Sequence, residues 1–185
     1  MNKILGMIPS DVESVLDTGC AGNIFNKKYK TITINVLENA DIKMDLNRKQ
    51  NLPLRDNSFD IVILNQILEH LTNVEKIIKE SKRVSKKYIL VVLPNELTWG
   101  FRIRFLIGKP AWEFYLPYWH KHFFTIKTVE NFIKQFFEKD KTVRKEYLGA
   151  LGRGKIFTMK NSGFFSKNFP SIFAKEIYYL VKIKK

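Results

Sequence analysis

The chain has 185 residues, 45% hydrophobic and 27% charged, which suits one globular domain and excludes a collagenous or mainly disordered chain. Lysine and arginine number 32 against 18 acids, a net charge of +14, and the excess is lopsided: residues 1–93 hold 14 basic and 11 acidic groups, residues 94–185 hold 18 and 7. A single cysteine, Cys20, excludes an intramolecular disulfide and a cysteine-rich zinc centre. The basic second half implies either an anionic partner or a lysine-biased composition, since 25 of the 32 cations are lysine. No apolar run reaches the ~18 residues of a membrane span. No long apolar core follows a basic start, so a cytoplasmic protein without a secretory signal is expected, at most peripheral to a membrane.

Val12–Asp17 is apolar and β-branched and runs into Thr18–Gly19–Cys20–Ala21–Gly22, the pattern of a buried strand ending in a tight glycine turn. A short helical stretch is expected over Ile24–Tyr29, then strands over Thr31–Val36 and Ile42–Asp45. Leu52–Ser58 reads as a polar turn-rich loop, and Phe59–Leu64 as a strand buried on both faces. Thr72 or Asn73 opens a helix, with Glu75 placed for a capping box with Thr72 and Val74, Ile77, Ile78 and Val84 as its apolar stripe. Tyr88–Leu93 is a further buried strand, stopped by Pro94. Residues 97–124 hold 10 of the 25 aromatics; in them Trp99, Phe101, Ile103, Phe105 and Ile107 alternate with other residues. A helix capped by Thr125 follows, with Val129, Phe132, Ile133, Phe136 and Phe137 on one face. Val143–Leu148 and Glu176–Ile183 are expected to form an antiparallel edge pair, with 149–170 as the loop between them. Strands alternating with helices predict a single α/β, Rossmann-like domain over residues 1–185. Its sheet is mostly parallel with six or seven strands and helices on both faces, and an aromatic-rich insert follows strand five.

In such a sheet, ligands sit outside the carboxyl ends of the strands, where strand order reverses. Asp17, Asn35, Asp45, Asn65 and the pair Asn95–Glu96 stand at five successive strand ends. Val15–Leu16–Asp17–Thr18–Gly19–Cys20–Ala21–Gly22 resembles the first motif of class I S-adenosylmethionine-dependent methyltransferases, of a small type-11-like kind. Leu52–Pro53–Leu54–Arg55–Asp56–Asn57–Ser58–Phe59–Asp60–Ile61–Val62–Ile63–Leu64, followed by Gln66–Ile67–Leu68–Glu69–His70–Leu71, is similar to the same family's fourth-strand region. His120–Phe124 with Thr125 resembles the segment before the helix that follows strand five. The resemblance covers about residues 12–140.

That resemblance implies methyl transfer from S-adenosylmethionine to a small-molecule or carrier-linked acceptor. It implies that Asp17, Thr18, Gly19, Cys20 and Ala21 cradle the cofactor's amino-acid end, with Asn65 and Gln66 beside them. Asn35 would meet the ribose, Asp45 the adenine amino group, and Leu46 the adenine face or ring nitrogen. The family usually has glycines where Ala21 and Asn23 stand, and an acid where Asn35 stands; Glu38 is the substitute acid. A non-catalytic relative and a nucleic-acid methyltransferase are the alternative readings.

His120 and His122 are the candidate catalytic bases for an acceptor that must lose a proton. With no third ligand evident beside them, no metal site is expected, and Glu69 and His70 are read as fixing the turn after strand four. Trp99, Phe105, Trp112, Tyr115 and Trp119 are expected to wall the acceptor side. Aromatics interleaved with Arg102, Arg104 and Lys109 suit an anionic substrate or loose attachment to an anionic membrane surface, and more remotely a single-stranded nucleic acid.

Overall fold

The computed structural model describes residues 3–19, 28–37, 39–49, 51–109, 120–149 and 162–185. Among these residues seven strands form one sheet: β1 (Ser14–Thr18), β2 (Lys30–Asn35), β3 (Ile42–Lys43), β4 (Phe59–Asn65), β5 (Ser85–Pro94), β6 (Lys141–Gly149) and β7 (Ala174–Lys182). Their order is β3-β2-β1-β4-β5-β7-β6. The first five strands pair in parallel, and β7 joins β5 and β6 antiparallel, so the expected edge pair is present. Chain order reverses between β1 and β4, which sets the crevice at the carboxyl ends of these two strands.

The near-continuous apolar runs are explained by two cores. Leu16, Val62, Leu64, Ile89 and Val91 point to one face of the sheet. There they meet Ile77 and Ile78 of α2 (Val74–Val84) and Val129, Ile133 and Phe137 of α4 (Ile126–Phe137). Val15, Ile61, Ile63, Leu90 and Val92 point to the other face, against Ile4 and Met7 of α1 (Lys3–Met7). Burying a branched side chain on both faces is worth about 1.5–3 kcal/mol per residue.

Asn73, not Thr72, caps α2: its side chain accepts from the Lys76 N–H at 3.1 Å. Thr72 instead ties the chain to a neighbouring loop, donating its N–H to Asn47 Oδ1 and accepting from Lys121 Nζ. Thr125 caps α4 in a reciprocal pair with Thr128. The segment after β5, to which the sequence assigned no regular element, is partly helical. Trp99–Leu106 forms a helix, α3, with no buried residue, so no packed face imposed a period. The stretch expected to be loop before β7 holds α5 (Ser162–Asn168) and α6 (Pro170–Phe173). The expected helix at 24–29 falls mostly on residues 20–27, outside the described ones, as do Glu38, Trp112, Tyr115 and Trp119. Among the described residues, no helix is long and apolar enough to cross a membrane.

The polar loop before β4 is held by one arginine. Arg83 bonds Glu80 through Nε (2.8 Å) and Nη2 (2.7 Å), and reaches Leu52 O, Leu54 O and Asp56 Oδ1. Glu80 Oε2 also accepts from the Leu52 N–H at 2.8 Å. The hydrogen bonds from Arg83 hold the Glu80 carboxyl below its ordinary pKa, outweighing its burial. Its stabilisation is therefore complete above the unfolded-chain value and is lost as pH falls through the depressed folded value. Glu80→Gln is expected to lower Tm at neutral pH by about 3–6 °C, corresponding to about 1–2 kcal/mol. The gap should close as pH falls below the ordinary glutamate range, through the depressed folded-state value. Melting curves at several pH values check this, and parallel acid limbs for the two proteins would refute it.

Candidate active site

The turn after β1 is built around Gly19. It sits at φ +93°, a left-handed conformation, and its N–H donates to Ile34 O at 3.1 Å. A Cβ there would lie 2.8 Å from Ile67 Cβ and 3.0 Å from Asn65 O, so the strand-four loop closes directly over the turn. Together they floor a cavity of about 280 Å³ at the reversal of strand order. Gly19, Asn35, Asp45, Leu46, Gln66 and His70 are among its walls.

Other residues expected at the cofactor stand around this cavity rather than on it. Asp17 is fully buried within β1, two residues before the glycine. Thr18 is 1% exposed and donates its hydroxyl to Ile63 O, so its side chain joins β1 to β4 instead of facing a ligand. Asn65 is half-buried and contributes its carbonyl beside Gly19. Cys20 and Ala21 lie outside the described residues.

On the cavity wall, Asn35 Oδ1 turns back onto its own chain and accepts from the Val36 N–H at 2.6 Å. Asp45 Oδ1 accepts from the Asn47 N–H at 2.9 Å, which sets its carboxylate at the head of the loop. Gln66, exposed, holds φ +48°, a conformation that non-glycine residues adopt mainly where a turn is forced. Strain of this kind gathers at ligand clamps.

Beyond His70 a second group of polar residues converges. Leu68–His70 is a 3₁₀ turn directly after β4, and the segment 120–122 docks on it: the N–H groups of Lys121 and His122 both donate to Glu69 O. The backbone of Glu69 thus joins this turn to the 120–122 segment, while its side chain stands in a different group. It is 1% exposed and, with His70 and His120, offers ligand-type atoms all within 4.8 Å of one another. The two rings meet edge to face at 4.7 Å.

His120 Nδ1 lies 2.5 Å from Glu96 Oε1, and Glu96 Oε2 accepts from the Phe124 N–H at 2.6 Å. Burial opposes a charged His120, but the hydrogen bond and charge of Glu96 outweigh it and hold the ring above its ordinary pKa. Burial, with lesser help from Glu96 and Glu176, pushes the Glu69 carboxyl up to about 7.

His122, the other expected base, is engaged elsewhere: its Nε2 bonds Leu71 O at 2.8 Å and its ring packs near Phe124. Asn95 likewise serves the fold, donating to Ala174 O at 2.7 Å. The sequence reading did not single out the Glu69 side chain as part of this group. The available signal was a lone acid inside the otherwise apolar run Ile67–Leu71, broken only by its histidine neighbour.

Residues 16–91 match the family model of a methyltransferase domain. A 52-residue stretch is 36% identical to an uncharacterized protein of Methanocaldococcus jannaschii, covering 28% of this chain; the match spans 25% of that protein's length. Among solved structures, the chain is similar to a SAM-dependent methyltransferase from Methanosarcina mazei (TM-score 0.61, 15% identity, 98% of this chain and 97% of that one). It is also similar to an S-adenosylmethionine-dependent methyltransferase from Mesorhizobium loti (TM-score 0.62, 11% identity, 98% and 96%). A third likeness is to one from Archaeoglobus fulgidus (TM-score 0.59, 17% identity, 94% and 87%).

Proposed function

We propose that this chain, which carries a methyltransferase domain on the fold of the class I S-adenosylmethionine-dependent methyltransferases, transfers a methyl group to a small-molecule or carrier-linked acceptor. The observation that carries this reading is the cavity at the reversal of strand order, closed below by a glycine that no other residue could replace without a clash. Its donor set fits S-adenosylmethionine: a close backbone approach at Gly19, a carboxylate at Asp45, an amide at Asn35 and a left-handed Gln66. When bound, the cofactor would supply a methyl on a cationic sulfur, leaving as a neutral thioether once the acceptor takes the methyl and gives up its proton. The chain's own part is to align the reactants and exclude water. His120, oriented by Glu96, is the polar group of the acceptor side.

Calorimetry with S-adenosylhomocysteine tests the reading. Saturable binding is expected, weaker than an acid at position 35 would give. Asn35→Asp should tighten it about tenfold, the worth of one charge-assisted hydrogen bond. One carboxylate oxygen replaces Oδ1 on the Val36 N–H and the other faces the cavity. No binding at millimolar ligand would favour a non-catalytic module with the same fold.

A lipid-linked acceptor is favoured by α3. Ile103, Phe105 and Leu106 are all exposed, Leu106 at 85%, on a helix that also carries Arg104. Such a surface suits an anionic bilayer, at about 1 kcal/mol per basic residue near it. Sedimentation should show stronger binding to anionic than to neutral vesicles, weakened by Leu106→Asp. Equal partitioning onto both would remove the electrostatic argument.

A further inference from the structure

The geometry points to a zinc site formed by Glu69, His70 and His120 on the acceptor side of the cavity. Three observations carry it. First, the donor set is two imidazoles and one carboxylate, the combination that holds catalytic zinc while leaving a coordination position open. Their ligand atoms lie within 4.8 Å of one another. A tetrahedral ion with bonds of about 2.1 Å holds its ligands about 3.4 Å apart, so small side-chain rotations complete the shell.

Second, the carboxylate is in need of a cation. Glu69 is 1% exposed, and its Oε2 has no hydrogen-bond partner among the described residues. Buried carboxylates are ordinarily paired, hydrogen-bonded or bound to metal. Of the charges around Glu69, His120 favours the carboxylate, whereas Glu96 and Glu176 oppose it. The nearby ammonium of Lys121 bonds Thr72 and Asn47 instead. A divalent ion would place its charge directly against the unpartnered Glu69 oxygen.

Third, the supporting contacts have the form that metal sites use. The Glu96 carboxylate engages His120 Nδ1 at 2.5 Å, which in the neutral ring places the lone pair on Nε2. The scaffold is preset, because the segment carrying His120 is pinned to the Glu69 carbonyl by two N–H groups.

His70 also lines the cavity, so the ion stands between the proposed methyl-donor pocket and the acceptor side. Given the methyl-transfer reading, its open position would receive the acceptor's oxygen or sulfur and lower the pKa of that group toward 7. The existence of the ion site does not depend on that reading.

The test uses the untagged full chain, stripped of metal and titrated with zinc and, separately, with cobalt(II). One equivalent of zinc should bind, and cobalt should give the intense visible absorption of a four-coordinate site. Glu69→Gln, His70→Asn and His120→Asn should each weaken zinc by at least about tenfold. Glu96→Gln should weaken it by about 10–100-fold through His120. His122→Asn should leave it unchanged. Circular dichroism confirms that each variant is folded, and Glu69→Gln is nearly isosteric, so a folding defect cannot mask the answer. No zinc or cobalt binding by the folded chain, or binding that survives the Glu69, His70 and His120 changes alike, would overturn the site. S-adenosylhomocysteine binding measured on the same samples separates the two readings. A folded chain that binds that compound but neither metal refutes only the zinc site, and one that binds metal but not that compound refutes only the methyl-donor pocket.

Discussion

Gly19→Ala is expected to abolish S-adenosylhomocysteine binding and to lower Tm by about 5–12 °C. The added methyl meets Ile67 Cβ at 2.8 Å and Asn65 O at 3.0 Å, neither of which is the loose end of a side chain. Overpacking of this kind costs about 1–3 kcal/mol, and the left-handed backbone adds about 1 kcal/mol for a residue with a Cβ. Relief comes only by pushing the Asn65–Ile67 loop away from the turn, which opens the floor of the cavity. Gly100→Ala is the control: it sits in α3 with nothing within 4 Å of where the new methyl would stand, and should melt at or slightly above the parent temperature. A Gly19→Ala protein that binds and melts like the parent would show that the turn does not floor the ligand pocket.

The same loop shows how far the sequence could be read. Phe59–Leu64 was legible as a strand covered on both faces because alternate residues serve two different cores and neither face is polar. The helix at Ile126–Phe137 was legible from its cap and apolar stripe. α3 was not, because a helix with no buried residue leaves no periodic imprint. α5 was hidden for a related reason: Phe164 is exposed at 61% and its short helix lacks a clear stripe. The strand-end residues were legible because topology alone places them. Their roles were not, because they depend on where side chains turn. Thr18 points at a neighbouring strand, and Asn35 folds onto its own backbone. The group around His120 depends on contacts between residues 24 and 51 positions apart, which no local pattern encodes.

Glu96→Ala should be among the most damaging changes on the acceptor side, lowering Tm by about 6–12 °C while leaving S-adenosylhomocysteine affinity within about twofold. Glu96 is 1% exposed and closes the 120–124 segment against the end of β5. One carboxylate oxygen meets His120 at 2.5 Å, the other accepts from the Phe124 N–H at 2.6 Å, and the Glu96 N–H donates to Phe124 O at 2.8 Å. Alanine keeps only the last of these. It strands a buried N–H and a histidine in contact with Glu69 and His70, and breaking a buried pair by deleting one partner costs about 3–5 kcal/mol. His120 is partly exposed, which places the expected loss at the low end of that range. Glutamine retains an oxygen for the Phe124 N–H and should recover about half of the loss. The cavity proposed for the methyl donor is walled by other residues, so binding of S-adenosylhomocysteine should be nearly indifferent. On the proposed reading, in which His120 is the polar group of the acceptor side, methyl transfer should fall. A double-mutant cycle between Glu96→Gln and His120→Asn measures the connection directly. Coupling above about 1 kcal/mol is expected for a buried hydrogen-bonded pair, whereas a value under about 0.5 kcal/mol would mean that Glu96 holds the loop without orienting the histidine.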